Sequence, residues 1–562
     1  MLRLGAVDLF IVSFYFVFVL GVGYLLKRRT KSGEDFFLAG RSQSYWVAAI
    51  SFIAASMGAL ELMGWSAATY QYGMLAVHWY WIGVVPAMLI LGLFMMPFYY
   101  ISRTHSVPGY LFLRYGEAAR MLAAVSFVFM TLLASGISMY SMGLVLEYFF
   151  GWDFDISIWV TAGVVCAYVA MGGLTSAIFN EIVQFFLIWA GFFLIPVLGL
   201  VEVGGWEKLA ARVTARVAEI TAPGAPAFDR IHIWSTLASP AGNSMGMHWL
   251  GITFGLCFVL ATGYWCTDFL VVQRVLTTRD LRSARMAPIV ASIFKVTVPF
   301  IVILPGLVAF ALIPGLGPEG PGVSATETYN AVLPLLMKRY FSPGLIGLGL
   351  IALIAGFMSG MAGNVSAFAT VWTYDIYRSI FRKDAPDGHY LNMGRLCTAL
   401  GVVVSLFTTY LVKSFASMAE YTQALFGFFI APLFATVAIG MFWKRATPPA
   451  GFWGYLAGIL CAAVLFFGVR FGCLDPSAFT LSAAPSDMSI FVWQATWAFL
   501  ADVLVTVVVS FLTPPQPESA LDGLVYGITR IPKDMRERWY ATPVFWACVS
   551  GLFFISLNLL FW

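Results

Sequence analysis

Charge is what this sequence has least of: Asp, Glu, Lys and Arg make up 11% of its 562 residues, against about 25% in soluble domains. With 60% hydrophobic residues and a mean hydropathy of +0.85, it leaves no room for a large soluble domain. A kinase module, a nucleotide-binding domain and an extracellular enzyme are thereby excluded. Cysteines number seven, none of them in a Cys-x-x-Cys pair, which excludes a disulfide framework and a zinc site. Six lie in apolar stretches, where cysteine acts as a small hydrophobe. The five histidines, His78, His105, His232, His248 and His389, form no pair at metal-ligand spacing and suggest no Ser–His–Asp arrangement, so the chain reads as no enzyme. A net charge of +4 gives no basis for a nucleic-acid partner. The single Asn-x-Ser/Thr sequon, Asn364-Val365-Ser366, falls inside an apolar run, which favours a prokaryotic plasma membrane.

What is abundant is long apolar runs. The first, within MLRLGAVDLFIVSFYFVFVLGVGYLLKRRTK, is too long for a cleavable signal and carries its basic cluster after the run, so it reads as a first span. Fourteen spans are expected near 7–25, 44–67, 76–99, 119–149, 154–172, 176–201, 247–273, 286–313, 343–374, 391–412, 416–443, 450–469, 489–512 and 541–562. Of the 32 Lys and Arg residues, 22 fall on the side that follows span 1, 9 on the other, and Lys295 inside a span. The positive-inside rule then puts both termini outside the plasma membrane. The outer loop 202–246 carries Lys208, Arg212 and Arg216 every four residues, which reads as an amphipathic surface helix with a solvated basic stripe.

A charge at bilayer depth costs at least ~2.5–3.5 kcal/mol, so each needs a partner or a water-filled cavity. Such groups are few: Glu61 in span 2, Asp268 beside Tyr264 and Trp265 in span 7, Lys295 in span 8 and Asp502 in span 13. Glu61 and Lys295 read as cavity-lining and Asp502 as structural. Small residues crowd the centre of span 2 (Ala54, Ala55, Ser56, Gly58, Ala59) and of span 9 (Gly356, Ser359, Gly360, Gly363, Asn364). They allow close packing, and they also let a helix unwind and offer carbonyls to a cation at mid-membrane. Two such spans with buried ionisable groups favour a transporter.

Five strings then become specific: GGLTSAIFNEIVQ at 172–184, YWCTDFLVVQR at 264–274, KVTVPFIVILPG at 295–306, TVWTYDIYR at 370–378 and FWKR at 442–445. Collinear through spans 2 to 12, they resemble the sodium:solute symporter family, closest in motif to the sodium/glucose cotransporters. The resemblance implies an all-α polytopic membrane protein with a leucine-transporter-type core of two inverted five-helix repeats. The expected divisions are a first helix and inner loop at 1–43, the first repeat at 44–201, an outer loop at 202–246, the second repeat at 247–443 and three peripheral helices at 444–562.

By the same resemblance Tyr264 is the inner gate under the sugar, and Lys295 and Gln423 bond its hydroxyls. Other positions depart from the family: Ser56 stands for an asparagine, Trp81 for a glutamate, and Ala261 for the asparagine of a bacterial sugar symporter. Glu61 brings a carboxylate where the family often has glutamine or histidine. The implied solute site is Ser56, Glu61, Tyr80, Trp81, Tyr264, Lys295 and Gln423. Sodium, the coupling ion, would be held by the carbonyls of Ala54, Met57 and Gly356 and the hydroxyl of Ser359, with Gly360 where relatives carry a second hydroxyl. Glu181, in an inner loop, matches an acidic residue on the sodium exit route.

The expected function is sodium-coupled symport of a small polar solute, sugar or sugar-like. The alternatives are a proton-coupled symporter of another organic solute using Glu61, and a solute sensor without transport. The implied partners are the solute, sodium and the lipid bilayer, with no obligatory protein partner evident.

Overall fold

The computed structural model describes residues 5–27, 39–58, 60–221, 228–237, 239–317, 327–532 and 538–562. Among the described residues the regular structure is helical, and β pairing is confined to isolated bridges such as Gln43 with Thr278. After α1 (Ala6–Lys27) come α2 (Tyr45–Ser56) and α3 (Leu60–Val77), an apolar pair bent by 60° at the break between them. α4 (Trp79–Ile101), α5 (Glu117–Phe150) and α6 (Phe154–Phe192) follow. α7 (Gly251–Thr267) and α8 (Phe269–Leu276) make a second broken pair, bent by 47°. The chain continues through α9 (Leu281–Leu312), α10 (Leu345–Phe381), α11 (Asp387–Val412) and α12 (Met418–Phe442). It ends with α13 (Pro448–Arg470), α14 (Asp487–Leu512) and α15 (Pro543–Leu560).

Ten helices among the described residues are long and apolar enough to cross a bilayer, or twelve when each bent pair is one span. The two other expected spans are represented by shorter apolar stretches, Ala6–Val19 and Phe154–Cys166. The helix α6 is continuous where a turn was expected between spans 5 and 6, and the side chains of residues 167–176 lie outside the description. Glu181, expected in a loop, is therefore inside a helix. The basic outer segment also departs from expectation. In the helix Trp206–Ile220, Arg216 shares a face with Leu209 and Val213 and is buried with them. Its guanidinium donates to the Phe310 carbonyl and, at 2.9 Å, to the Tyr70 hydroxyl.

The breaks have local causes. Met57 ends α2 with ψ at 46°, and its N–H turns back to the carbonyls of Ile53 and Ala54. In the second pair Asp268 leaves helical geometry with ψ at 117°, and its carboxylate accepts the Leu270 N–H at 2.8 Å, which starts α8 afresh. One tie went unforeseen in the sequence: Asp8 of α1 accepts the N–H groups of Gly344 and Gly347, each at 2.7 Å. This carboxylate caps the start of α10, where the free N–H groups and the helix dipole favour a negative charge.

Candidate functional site

The site begins where α3 does. Its first turn, Leu60–Gly64, is a widened π turn, a form that re-aims side chains and recurs at functional positions. It carries Glu61 into the protein core, and Lys295 reaches it from α9, donating from Nζ to Glu61 Oε1 at 2.5 Å. Their side chains are 6% and 0% exposed, so neither charge is matched by water. The registration of the two helices is set by small-residue packing and by Ser66, whose hydroxyl donates to the Val302 carbonyl at 2.8 Å. The lysine ammonium also lies 5.2 Å from the Trp265 ring centre and 5.8 Å from that of Tyr80.

Around this pair the aromatic rings join into a wall. Tyr80 meets Trp65 edge-on at 6.0 Å, and Trp65 stacks on Trp79 at 5.1 Å. Trp79 stacks at 6.2 Å on Phe426 of α12, which in turn stacks at 4.9 Å on Tyr264. Tyr264 closes the wall edge-on against Trp265 at 5.2 Å. On the elements that carry the wall, buried polar atoms lack hydrogen-bond partners: both amide atoms of the Gln423 side chain, and the indole N–H of Trp265. A buried amide left unsatisfied costs ~1–3 kcal/mol, so these atoms mark where a polar molecule is wanted.

Of the seven residues expected to meet a solute, Glu61, Tyr80, Tyr264 and Lys295 are linked by these contacts, and Gln423 presents its orphaned amide one turn before Phe426. Ser56 spends its hydroxyl on the Ile53 carbonyl at 2.6 Å, finishing its own helix. Trp81 turns elsewhere: its indole donates to the Val296 carbonyl at 3.1 Å, its ring packs on Phe561 of the C-terminal segment, and it lines an apolar groove with Trp206 and Phe300. Successive residues of a helix leave its axis in different directions, so Tyr80 and Trp81 diverge. Trp65, Trp79 and Phe426 were not foreseen. The density of aromatics in WYW at 79–81 was their one signal.

The residues expected to hold an ion also converge. The Ser359 hydroxyl donates to the Ala54 carbonyl at 2.9 Å, joining α10 to the end of α2. A Cβ placed on Gly356 would stand 3.0 Å from the Met57 carbonyl oxygen, and one on Gly58 would stand 3.4 Å from Gly360 Cα. The glycines are thus what lets the broken helix press backbone to backbone on α10. The four hard oxygens proposed from the sequence lie along this one seam.

Polar latches close both ends. On one, Glu181 accepts from the Ser51 hydroxyl and, at 2.6 Å, from Arg274, with the ion pair 1% and 0% exposed. This binds α2, α6 and α8. On the other, Glu420 of α12 accepts from Gln71 at 2.8 Å and from the Tyr72 hydroxyl at 2.6 Å, fastening α3 to α12. Asp502 stands apart, accepting from Thr436 at 2.6 Å and Thr506 at 2.9 Å within the packing of α12 and α14.

A desolvated ion pair joins the first broken span to α9, Trp265 of the second broken span stands beside it, and latches close either side, an arrangement that fits a membrane transporter. The chain matches the model of the sodium:solute symporter family over residues 36–458, three quarters of its length, and belongs to that family. It is 27% identical over 554 residues to Sodium/glucose cotransporter 4 of Homo sapiens, covering 95% of this chain and 80% of that one. It is 25% identical over 491 residues to the Sodium/glucose cotransporter of Vibrio parahaemolyticus, covering 85% and 88%. Among solved structures, a substrate-bound, outward-open Na+-coupled sialic acid symporter aligns with a TM-score of 0.74 at 18% identity, covering 91% of this chain and 99% of that one. That likeness is one of fold, the leucine-transporter-type architecture of inverted repeats.

Proposed function

We propose that this protein couples the inward movement of sodium to uptake of a neutral, polyhydroxylated solute of the sugar or inositol class. The observation that carries the solute class is the Glu61–Lys295 contact. It leaves the centre of the molecule with charges that cancel, next to an unsatisfied glutamine amide and stacking aromatic faces. An anionic solute would find its natural partner, Lys295, already neutralised. A solute rich in hydroxyl groups finds donors and acceptors in Glu61, Lys295 and Gln423, with Tyr264 to stack against its ring. The family's sodium coupling is supported here by the seam of Ala54, Met57, Gly356 and Ser359.

The test is uptake into proteoliposomes of purified protein with labelled hexoses, myo-inositol and sialic acid, under inward sodium, potassium or proton gradients. Sodium-driven accumulation of a neutral polyol or hexose is expected. Accumulation driven by a pH gradient without sodium, or preference for the anionic sugar, would overturn the reading.

A further inference from the structure

The Gly360 position deprives the cation seam of one hydroxyl, and a neighbouring helix carries one in its place. α5 holds five serines and threonines. Four of them, Ser126, Thr131, Ser135 and Ser141, donate to the carbonyl four residues back, the ordinary resting place of a helical hydroxyl. Ser138 makes no such bond among the described residues, although it is 5% exposed. Its Oγ points at α10 and lies 3.3 Å from where a Cβ on Gly360 would stand, the neighbour of Ser359. The same virtual Cβ is 3.3 Å from Gly58 Cα, at the break of the bent pair. A hydroxyl that has no hydrogen bond among the described residues, on a residue 5% exposed, therefore lies beside the gap left by the glycine.

We propose that Ser138 is a cation ligand, supplying from α5 the oxygen that Gly360 cannot supply from α10; this rests on the sodium-coupled reading above. The cation is then held by the carbonyls of Ala54, Met57 and Gly356 and the hydroxyls of Ser359 and Ser138. Hard monovalent and divalent cations take such neutral oxygens. The arrangement also gives α5 a part in coupling, because the ion joins the broken helix to two helices at once.

The experiment is equilibrium binding of radioactive sodium to the purified full-length protein, independent of any transport assay, with thermal unfolding of each variant as the check on folding. Ser138→Ala is expected to weaken sodium binding about ten- to a hundredfold, the loss of one oxygen facing a charge. Ser138→Cys keeps the volume and replaces the hard oxygen by a soft sulfur, so it should weaken binding alike without opening a cavity. Gly360→Ser alone gains nothing, because Ser138 Oγ, 3.3 Å from its Cβ, already fills the space its hydroxyl needs. In the Ser138→Ala background Gly360→Ser has room and is expected to restore binding to within about threefold, a strongly non-additive pair. Wild-type affinity in folded Ser138→Ala and Ser138→Cys, with Ser359→Ala impaired, overturns the role of Ser138 and leaves the sodium reading standing. Wild-type affinity in Ser359→Ala as well, or no sodium binding by any form, overturns the sodium reading itself.

Discussion

Replacing Lys295 by alanine separates the packing role of the central ion pair from its role in recognition. The substitution leaves the Glu61 carboxylate 6% exposed with no cation within reach. Removing one partner of a buried pair costs about 3–5 kcal/mol, because the desolvation of the survivor is no longer offset. That is roughly two to three and a half decades in a folding or binding equilibrium. The sequence alone suggests that Lys295→Ala expresses normally and binds solute less well; the direct 2.5 Å contact makes it a stability lesion as well. Glu61→Gln should be milder than Lys295→Ala if the lysine ammonium keeps a hydrogen-bond acceptor in the amide. The double variant Glu61→Gln with Lys295→Met removes both charges and conserves volume, so it should regain most of the wild-type melting temperature. It should remain inactive in uptake, since no charged group is left to grip hydroxyls. The assays are thermal unfolding of monodisperse detergent-solubilised protein and uptake in proteoliposomes. A Lys295→Ala variant that melts with the wild type, or a double variant less stable than either single one, would refute the argument.

Other perturbations follow from the same geometry. Gln423→Leu should abolish solute binding while raising the melting temperature slightly, because it removes two unsatisfied buried atoms; a drop of several degrees with binding intact would contradict this. Tyr264→Phe should keep the stack on Phe426 and partial uptake, whereas Tyr264→Ala should leak or fail, read as solute efflux from loaded vesicles. Arg274→Ala should destabilise the protein by about 3–5 kcal/mol through the stranded Glu181, measured by thermal unfolding. Asp502→Asn keeps one acceptor oxygen and turns the other position into a donor, to which a threonine hydroxyl can respond by donating to its backbone acceptor instead, so uptake should stay near wild type, in keeping with a role in helix packing.

How much of this was legible beforehand follows from the range of the interactions. Apolar runs are local, so most of the spans were placed from residue order alone. The five collinear strings carried the family and with it the inverted repeats. What residue order does not carry is direction. Tyr80 and Trp81 are neighbours, yet one meets Lys295 and the other an apolar groove by Phe561. Glu61 and Lys295 were each recognisable as costly charges, but 234 residues separate them and nothing in either string names the other. Arg216 was read as solvated from its spacing with Lys208 and Arg212, and the spacing was right for a helix. Its burial comes from Tyr70 and Phe310, which belong to other elements. Asp8 was overlooked because its value lies in the free N–H groups at the start of α10, far along the chain.

The order of groups along the broken helix also suggests how ion and solute are linked. Ala54 and Met57 end α2, and Glu61 lies in the first turn of α3, so the break beginning at Gly58 stands between the proposed cation ligands and the central pair. A cation that draws those carbonyls toward Ser359 fixes the angle of the hinge, and with it the direction in which Glu61 meets Lys295. The coupling is reciprocal by linkage: solute that favours one orientation of Glu61 must favour the cation by the same factor. Stiffening the hinge should therefore sever the link without removing any ligand. Gly58→Ala is the perturbation of choice, since its Cβ would stand 3.4 Å from Gly360 Cα and 3.6 Å from the Gly356 carbonyl oxygen, ordinary contact with little room to move. Sodium binding should persist in this variant, while the gain in solute affinity that saturating sodium confers should shrink toward none. The measurement is solute binding titrated with and without sodium on the same preparation. Full retention of the sodium-dependent gain in Gly58→Ala would show that the hinge is not the route between the two sites.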